Sequence, residues 1–299
     1  MSVKKSRVFI FVLSLILLSF LINSLIPEEN KSIDAMSAKS TRVNTNYKQV
    51  DIISTKGFYT NPEDNPNEYT KFIDHYLNQN PEGTLLLSTT DNYQENFKPS
   101  FKQSIDLTNY LNYTIPNGIY SSSDKVQNIV EKTKHQFLAA NLYNKDTDKL
   151  VEYLKPYLIQ EVNGIKIGVI GALIPSAIIR ETNKLVIKDP VIIINRLISQ
   201  IRTEGADLII LITHNLEEEN YMTEQSNQKL IEITKQIQDV DGIIGNNKDQ
   251  PLATTVHGVP VINTNHLGHL RFLINTETRE VNRIIPNLQE INHITNPSS

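Results

Sequence analysis

The most constraining stretch of the sequence is residues 205–215, which read G-A-D-L-I-I-L-I-T-H-N. A polar turn precedes five consecutive apolar residues, 208–212, and Thr213 and His214 follow directly. A short run of Ile and Leu bounded by turn residues predicts a strand that is buried on both faces. In open α/β sheets, ligands bind just beyond the carboxyl ends of such strands. His214 is therefore a candidate ligand or base, and simple capping of the strand is the alternative.

The composition excludes several kinds of function. The chain has 299 residues, enough for one large domain or two ordinary ones with a sizeable core. Its net charge of −4 provides no basic field for nucleic acid, so we expect no nucleic-acid partner. It contains no cysteine, which excludes disulfides, thiolate metal ligands and thiol nucleophiles.

The N-terminus carries a membrane-targeting pattern. Lys4, Lys5 and Arg7 precede residues 8–26, a 19-residue stretch that is almost wholly apolar. A positive flank before such a run is typical of an export signal, with the positive end inside. The run is long for a cleaved signal and just long enough to span a bilayer, so we favour an uncleaved anchor.

These features predict three parts of the chain. They are a signal peptide or membrane anchor at 1–27, a polar linker at 28–47 and one domain at 48–299. The predicted location is the cell membrane with the domain facing outside, or secretion if the signal is cleaved.

Strand and helix patterns alternate through the domain. Strands are predicted at 50–55, 84–88, 136–142, 166–173, 208–212, 242–244, 259–263, 270–275 and 281–285, and helices at 68–78, 123–134, 190–202 and 225–237. Residues 157–162 are predicted to pair with 166–173 as a hairpin through Asn163 and Gly164. Strands that alternate with helices indicate an α/β fold with a sheet covered on both faces.

Several stretches in order resemble the N-terminal catalytic domain of the 5′-nucleotidase family, within the calcineurin-like metallophosphatases. They are F-L-A-A-N-L at 137–142, K-P-Y-L-I-Q-E-V-N-G-I-K-I-G-V-I-G-A at 155–172, K-D-P-V at 188–191, the stretch around His214, D-V-D-G-I-I-G at 239–245 and H-G-V-P-V-I-N at 257–263. The order and spacing hold from about residue 50 to residue 285. The resemblance implies a four-layer α-β-β-α metallophosphoesterase sandwich.

The resemblance also implies a site for divalent cations. In the family, one carboxylate bridges two cations about 3.5–4 Å apart, and the pair polarises a phosphoryl oxygen and activates a water. Four positions of this chain match metal ligands of the family: Asp91, which matches the bridging carboxylate, Asn117, His214 and Asp249.

Other matching positions hold residues that cannot perform this chemistry. The Asp and His of the first motif correspond to Gly57 and Tyr59. The histidine that would stabilise the transition state corresponds to Gly118, and its orienting carboxylate falls near Ser121. Asn247 stands where the fifth motif has a histidine. The resemblance therefore implies no catalytic residue.

The matching ligands imply at most one weak cation site, for Mn²⁺, Mg²⁺ or Zn²⁺, on Asp91, Asn117, His214 and Asp249, and no cation at all is the alternative. Taken singly, these residues also suit ordinary turns and strand ends. His257, His266 and His269 are candidates for substitute ligands, and we expect them to be surface or loop histidines instead.

The family usually carries a C-terminal domain that grips the nucleobase and ribose, whereas this sequence ends at Ser299, so we do not expect its nucleotide specificity here. The sequence predicts a membrane-anchored, extracytoplasmic, 5′-nucleotidase-like protein that is catalytically impaired and acts as a binding or regulatory module. Its partners would be the membrane, through the N-terminal helix, and an unidentified protein or small phosphorylated ligand. A weak metal-dependent phosphoesterase with a reduced metal site is one alternative, and a purely structural interaction protein is another.

Overall fold

A computed structural model describes residues 46–55, 66–88, 110–112, 137–174, 184–215, 223–245, 251–263 and 267–284. Contacts group Asn46–Ser299 as one compact unit, and the other unit, Met1–Thr45, lies outside the described residues. In the described part of the chain, no helix is both long and apolar enough to cross a membrane. The predicted signal or anchor at 1–27 lies outside that part.

The described elements form two large sheets, one small sheet and three helices. The strands are β1 (Tyr47–Thr55), β2 (Thr84–Ser88), β3 (Tyr110–Asn112), β4 (Leu142–Asn144), β5 (Tyr157–Val162), β6 (Ile165–Ile174), β7 (Leu185–Ile187), β8 (Leu208–Asn215), β9 (Gly242–Gly245), β10 (Leu252–Val256), β11 (Val259–Asn263), β12 (Leu267–Asn275) and β13 (Val281–Ile284). The helices are α1 (Pro66–Gln79), α2 (Pro190–Thr203) and α3 (Thr223–Thr234).

The first sheet has the strand order β13-β12-β1-β2-β3, and the second has the order β10-β11-β9-β8-β6-β5. Strands β1, β2 and β3 run parallel, as do β6, β8, β9 and β11. The small sheet pairs β4 with β7.

The apolar side chains divide the fold into layers. One buried cluster joins the facing sides of the two large sheets and includes Ile52, Ile210 and Phe272. A second cluster packs the other side of the second sheet against α2 and α3. Ile73 and Tyr76 of α1 are buried, and the Tyr76 ring centroid lies 4.0 Å from that of His269 on β12. The layers therefore run helix, sheet, sheet, helices.

Local sequence explains where several elements begin and turn. Asp189 precedes α2, and its Oδ1 accepts hydrogen bonds from the backbone N–H groups of Val191 and Ile192 at 2.8 and 3.3 Å. This N-cap and Pro190 in the first turn fix the start of the helix. Asn163 and Gly164 both have positive φ, +53° and +70°, which is the backbone of the tight turn predicted between β5 and β6.

The predicted α/β fold class is confirmed, but one strand prediction is wrong. The strand predicted at 136–142 is not formed by the described residues 137–141, because Leu138 makes only an isolated bridge to Lys155 and β4 begins at Leu142. The backbone of this segment bonds alternately to Lys155 and to Gly171 rather than along one neighbour. Strands β3, β4, β7 and β10 were not predicted, and the helix predicted at 123–134 lies outside the described residues.

Candidate functional site

The candidate site is built on β8. Its residues Leu208, Ile210 and Ile212 face the first sheet, and Ile209 and Leu211 face α2 and α3. All five are buried, with at most 3% of the residue surface exposed, which confirms a strand buried on both faces. The strand extends beyond the apolar run to Asn215, so Thr213 and His214 are part of it.

Strand geometry determines the direction of His214. Successive side chains of a strand point to opposite faces, so His214 shares the face of Ile210 and Ile212. It therefore points toward the space between the two sheets, at the carboxyl end of β8. His214 is half-buried, whereas Thr213, on the other face, is 1% exposed.

The parallel strands of both sheets end at the same edge of the domain. A Cβ atom at Gly164, in the turn before β6, would lie 2.7 Å from Nζ of Lys48, near the start of β1. Asp207, just before β8, pairs through its Oδ2 with Nη1 of Arg279 at 3.4 Å, in the turn between β12 and β13. Because Asn275 pairs with Tyr47, this turn adjoins the start of β1. The starts of the parallel strands thus lie together. Because packed sheets keep their strand directions within about 30° of each other, we infer that the carboxyl ends lie together as well.

In the sequence, the predicted motif positions come after strands that end at this edge. Gly57 and Tyr59 follow the end of β1, Asp91 follows β2, Asn117, Gly118 and Ser121 follow β3, and Asn247 and Asp249 follow β9. All eight positions lie outside the described residues, so their mutual geometry stays a prediction. His214 is the predicted site residue that the structure positions.

Of the four predicted cation ligands, only His214 lies within the described residues, and its side chain is compatible with binding a divalent cation. Imidazole is a common ligand of Zn²⁺, and His214 presents it at the carboxyl end of a strand. Within the described ranges, no group of three His, Asp or Glu side chains could hold a metal ion. A complete cage would therefore require the predicted ligands Asp91, Asn117 and Asp249.

Two of the three candidate substitute histidines lie within the described residues, and neither replaces a ligand near His214. His257 is exposed in the turn before β11, and therefore at the opposite edge from His214. His266 lies outside the described part of the chain. His269 is 5% exposed, so the expectation of a surface or loop histidine is wrong for it.

His269 belongs to a buried polar cluster around Asp51, which is 0% exposed. Nε2 of His269 and Nε of Arg271 each lie 2.7 Å from Oδ1 of Asp51. Oδ2 accepts hydrogen bonds from Nε2 of Gln49 at 2.7 Å and Nδ2 of Asn80 at 2.9 Å. Burial alone would raise the pKa of this carboxyl, but the four hydrogen bonds outweigh it and lower the pKa well below its ordinary value.

Two asparagines near the site edge were missed by the sequence analysis. Asn263 ends β11 and is fully buried, and its Nδ2 donates to Oδ1 of Asn227 on α3 at 2.7 Å. Asn141 is also fully buried and hydrogen-bonds to Leu173, which pairs with His214. Each asparagine ends an apolar run, and this position was the signal that could have identified them as buried polar groups.

Two facing sheets with helices outside form a mixed α/β fold resembling that of calcineurin-like phosphoesterases. No protein-family model matches the chain, and no curated protein sequence matches it, but solved structures do. The calcineurin-like phosphoesterase YfkN from Bacillus subtilis aligns with a TM-score of 0.60 and 17% identity, over 84% of this chain and 96% of its own.

Two nucleotidases show the same fold. The 5′-nucleotidase precursor from Thermus thermophilus aligns with a TM-score of 0.55 and 12% identity, over 83% of this chain and 57% of its own. The putative 5′-nucleotidase from Staphylococcus aureus aligns with a TM-score of 0.53 and 13% identity, over 84% of this chain and 58% of its own. These neighbours match a 5′-nucleotidase-type N-terminal metallophosphatase domain, so the predicted resemblance is confirmed at the level of fold. The chain spans less than two thirds of each nucleotidase.

Proposed function

We propose that this chain is a binding or regulatory module built on the calcineurin-like phosphoesterase fold, with phosphoesterase activity largely lost. The observation that carries the proposal is the imidazole that His214 presents at the carboxyl end of β8. The motif positions that the sequence predicts beside it hold Gly57, Tyr59 and Gly118. Glycine has no ligand atom, and a neutral tyrosine does not replace a carboxylate or an imidazole.

The chemistry of phosphoryl transfer explains the expected loss. A two-metal site stabilises both the attacking and the leaving oxygen, and it needs a full set of ligands around each cation. Asp91, Asn117, His214 and Asp249 would hold one cation, which would supply Lewis-acid binding of a phosphoryl oxygen. Loss of a donor that stabilises the transition state typically costs about 3 kcal/mol, which is roughly a hundredfold in rate. Gly118 cannot supply such a donor.

The N-terminal pattern supports a cellular location for this module. We propose that 1–27 anchors the chain in the membrane, that 28–47 is a polar linker and that 48–299 faces the outside of the cell. The partner would then be an extracellular protein or a small phosphorylated ligand that reaches the His214 edge.

A phosphatase assay on the full chain in detergent micelles tests the loss of activity. Nucleoside monophosphates and p-nitrophenyl phosphate are supplied with Mn²⁺, Mg²⁺ or Zn²⁺, and phosphate release is compared with that of the His214→Ala variant. We expect equal release from both chains. Turnover that disappears in both Asp91→Ala and His214→Ala would contradict the proposal.

That contrary result would support a second candidate, a weak phosphoesterase with a reduced metal site. The direction of His214 favours this candidate, because the imidazole points into the space between the sheets. Titration of the full chain with Mn²⁺ separates the remaining alternatives. Binding that His214→Ala weakens supports an inherited cation site, and the absence of binding favours a purely structural interaction protein.

A further inference from the structure

Strand β6 has an unusual neighbour at its carboxyl end. Its pairing with β5 ends where Tyr157 meets Ile170, yet β6 continues to Ile174. On its other side, β6 pairs with β8 through all eight residues from Leu208 to Asn215. The last four residues of β6 therefore need another partner on the β5 side, because buried backbone groups are almost always hydrogen-bonded.

The segment before β4 supplies this partner. The backbone N–H of Ala140 donates to the carbonyl of Gly171 at 2.7 Å. A Cβ atom at residue 171 would lie 2.6 Å from Cβ of Leu138, so glycine allows the segment to approach β6. The backbone of this segment reaches Gly171, and a side chain continues the pairing from there.

That side chain is Asn141, and its carboxamide pairs with Leu173 as a peptide group would. The N–H of Leu173 donates to Oδ1 of Asn141 at 2.8 Å, and Nδ2 of Asn141 donates to the carbonyl of Leu173 at 2.8 Å. Nδ2 also donates to the carbonyl of Lys188 at 3.0 Å, just before the N-cap of α2. The buried carboxamide of Asn141 thus takes the place of a strand beside Leu173. It also connects the end of β6 to the start of α2.

The register places this carboxamide level with the candidate site. Leu173 is the residue of β6 that pairs with His214, and Ile174 pairs with Asn215. The backbone of His214 is therefore one strand away from the groups that Asn141 binds. If Leu173 moved, His214 near the end of β8 would lose the residue of β6 with which it pairs.

We propose that Asn141 is a positioning residue for His214, because its carboxamide holds the end of β6 against which the His214 backbone is aligned. The inference rests on the proposed function in one respect, namely that His214 contributes to a cation site. Groups that hydrogen-bond directly to a ligand typically change metal affinity by about 10- to 100-fold when they are mutated. Asn141 acts through the backbone of Leu173, so we expect an effect at the low end of that range.

The test variant is Asn141→Ser, which removes the carboxamide and with it the Nδ2 that donates to both carbonyls, and Asn141→Gln is the second variant in case the first does not fold. Asn195→Ser is the matched control. Asn195 on α2 also binds backbone on both sides, with its Nδ2 donating to the carbonyl of Gln236 and its Oδ1 accepting from the N–H of Gln238, each at 3.0 Å. These contacts precede β9, at the edge opposite His214.

The first readout needs no metal. The imidazole signals of the full chain are recorded by NMR, with the His214 signal identified by its absence in His214→Ala and exposed His257 as the internal reference. We expect the His214 signal to shift in the Asn141 variant and to stay in place in Asn195→Ser. A His214 signal that is unchanged by the Asn141 substitution in a folded chain would overturn the inference.

The second readout is the Mn²⁺ affinity of the same chains at a temperature where all are folded. We expect about tenfold weaker binding in the Asn141 variant and unchanged binding in Asn195→Ser. Equal affinities in all three chains would overturn the link to the cation site. If the unsubstituted chain binds no Mn²⁺ while the His214 signal still shifts, the proposed cation site fails and the positioning role of Asn141 stands.

Discussion

The two large sheets each carry one histidine near the carboxyl end of the parallel strands, and the two histidines have opposite surroundings. His269, on the first sheet, is 5% exposed and hydrogen-bonded to the buried carboxylate of Asp51. His214, on the second sheet, is half-buried and follows a run of aliphatic residues. Alternation along each strand places His269 on the face covered by α1 and His214 on the face between the sheets.

This difference distinguishes a structural histidine, His269, from a candidate ligand, His214. Asp51 accepts four hydrogen bonds, and two of its donors, His269 and Arg271, come from the neighbouring strand β12. A buried carboxylate needs such partners, because an unpaired charge in the interior is very costly. His269 is therefore committed to the fold, whereas His214 presents its ring at an edge where ligands bind in this architecture.

The largest expected effect is on the first sheet. We predict that Asp51→Asn lowers the free energy of unfolding by about 3 kcal/mol, because it leaves the Arg271 guanidinium without its partner carboxylate. The matched control is Asp148→Asn, whose carboxylate pairs with Lys188 at 2.7 Å but is 75% exposed. An exposed pair contributes roughly 0–1 kcal/mol. Urea unfolding of both variants measures the contrast, and equal losses would show that the buried cluster is not a stabilising feature.

Substitution of the two histidines should affect stability and Mn²⁺ binding in opposite orders. We predict that His269→Ala costs about 2 kcal/mol, because it removes a donor to Asp51 and the ring packed on Tyr76. His214→Ala should cost about 1 kcal/mol or less. Mn²⁺ affinity should show the reverse order, with binding lost in His214→Ala and kept in His269→Ala. Loss of Mn²⁺ binding in a folded His269→Ala chain would make His269 part of the site and break the comparison.

Lowering the pH should reduce the difference in the free energy of unfolding between the unsubstituted chain and Asp51→Asn. The pKa of Asp51 is lowered in the folded state, so its stabilising contribution is present above the unfolded pKa, about 3.9, and is lost as the pH falls below it. Between pH 5 and pH 3 the unfolded chain takes up the proton first, which removes about 1 kcal/mol of the difference. Urea midpoints measured at both pH values check this, and a gap that stays constant would contradict the lowered pKa.

Local patterns predicted most of the described elements because their periodicity is strong. The run at 208–212 defined β8, and the Asn163-Gly164 pair defined the hairpin before it. Strands β4 and β7 were missed because they are three residues each and pair with each other across a long separation in sequence. Residues 136–142 suggested a strand because the apolar pattern does not reveal that a side chain, that of Asn141, makes the last pairing.

The candidate site was predictable in part. Its direction follows from β8 alone, since a histidine two residues after an inward-facing Ile212 must itself face inward. The role of His269 did not follow from sequence, because its partner Asp51 lies 218 residues away and is brought to it only by the pairing of β1 with β12. A polar residue in a buried strand needs hydrogen-bond partners, and the sequence does not show which neighbouring strand supplies them.

The double coverage of β8 has a consequence for hydrogen exchange. Its central amides have β6 on one side and β9 on the other, and packed side chains cover both faces. Such amides exchange with solvent only when the whole domain opens, whereas strand ends exchange by local fraying. Pairing with β9 stops at Ile212, so the slow-exchanging core ends within two residues of His214. The backbone that carries the imidazole thus lies where exchange rates should rise steeply from one amide to the next.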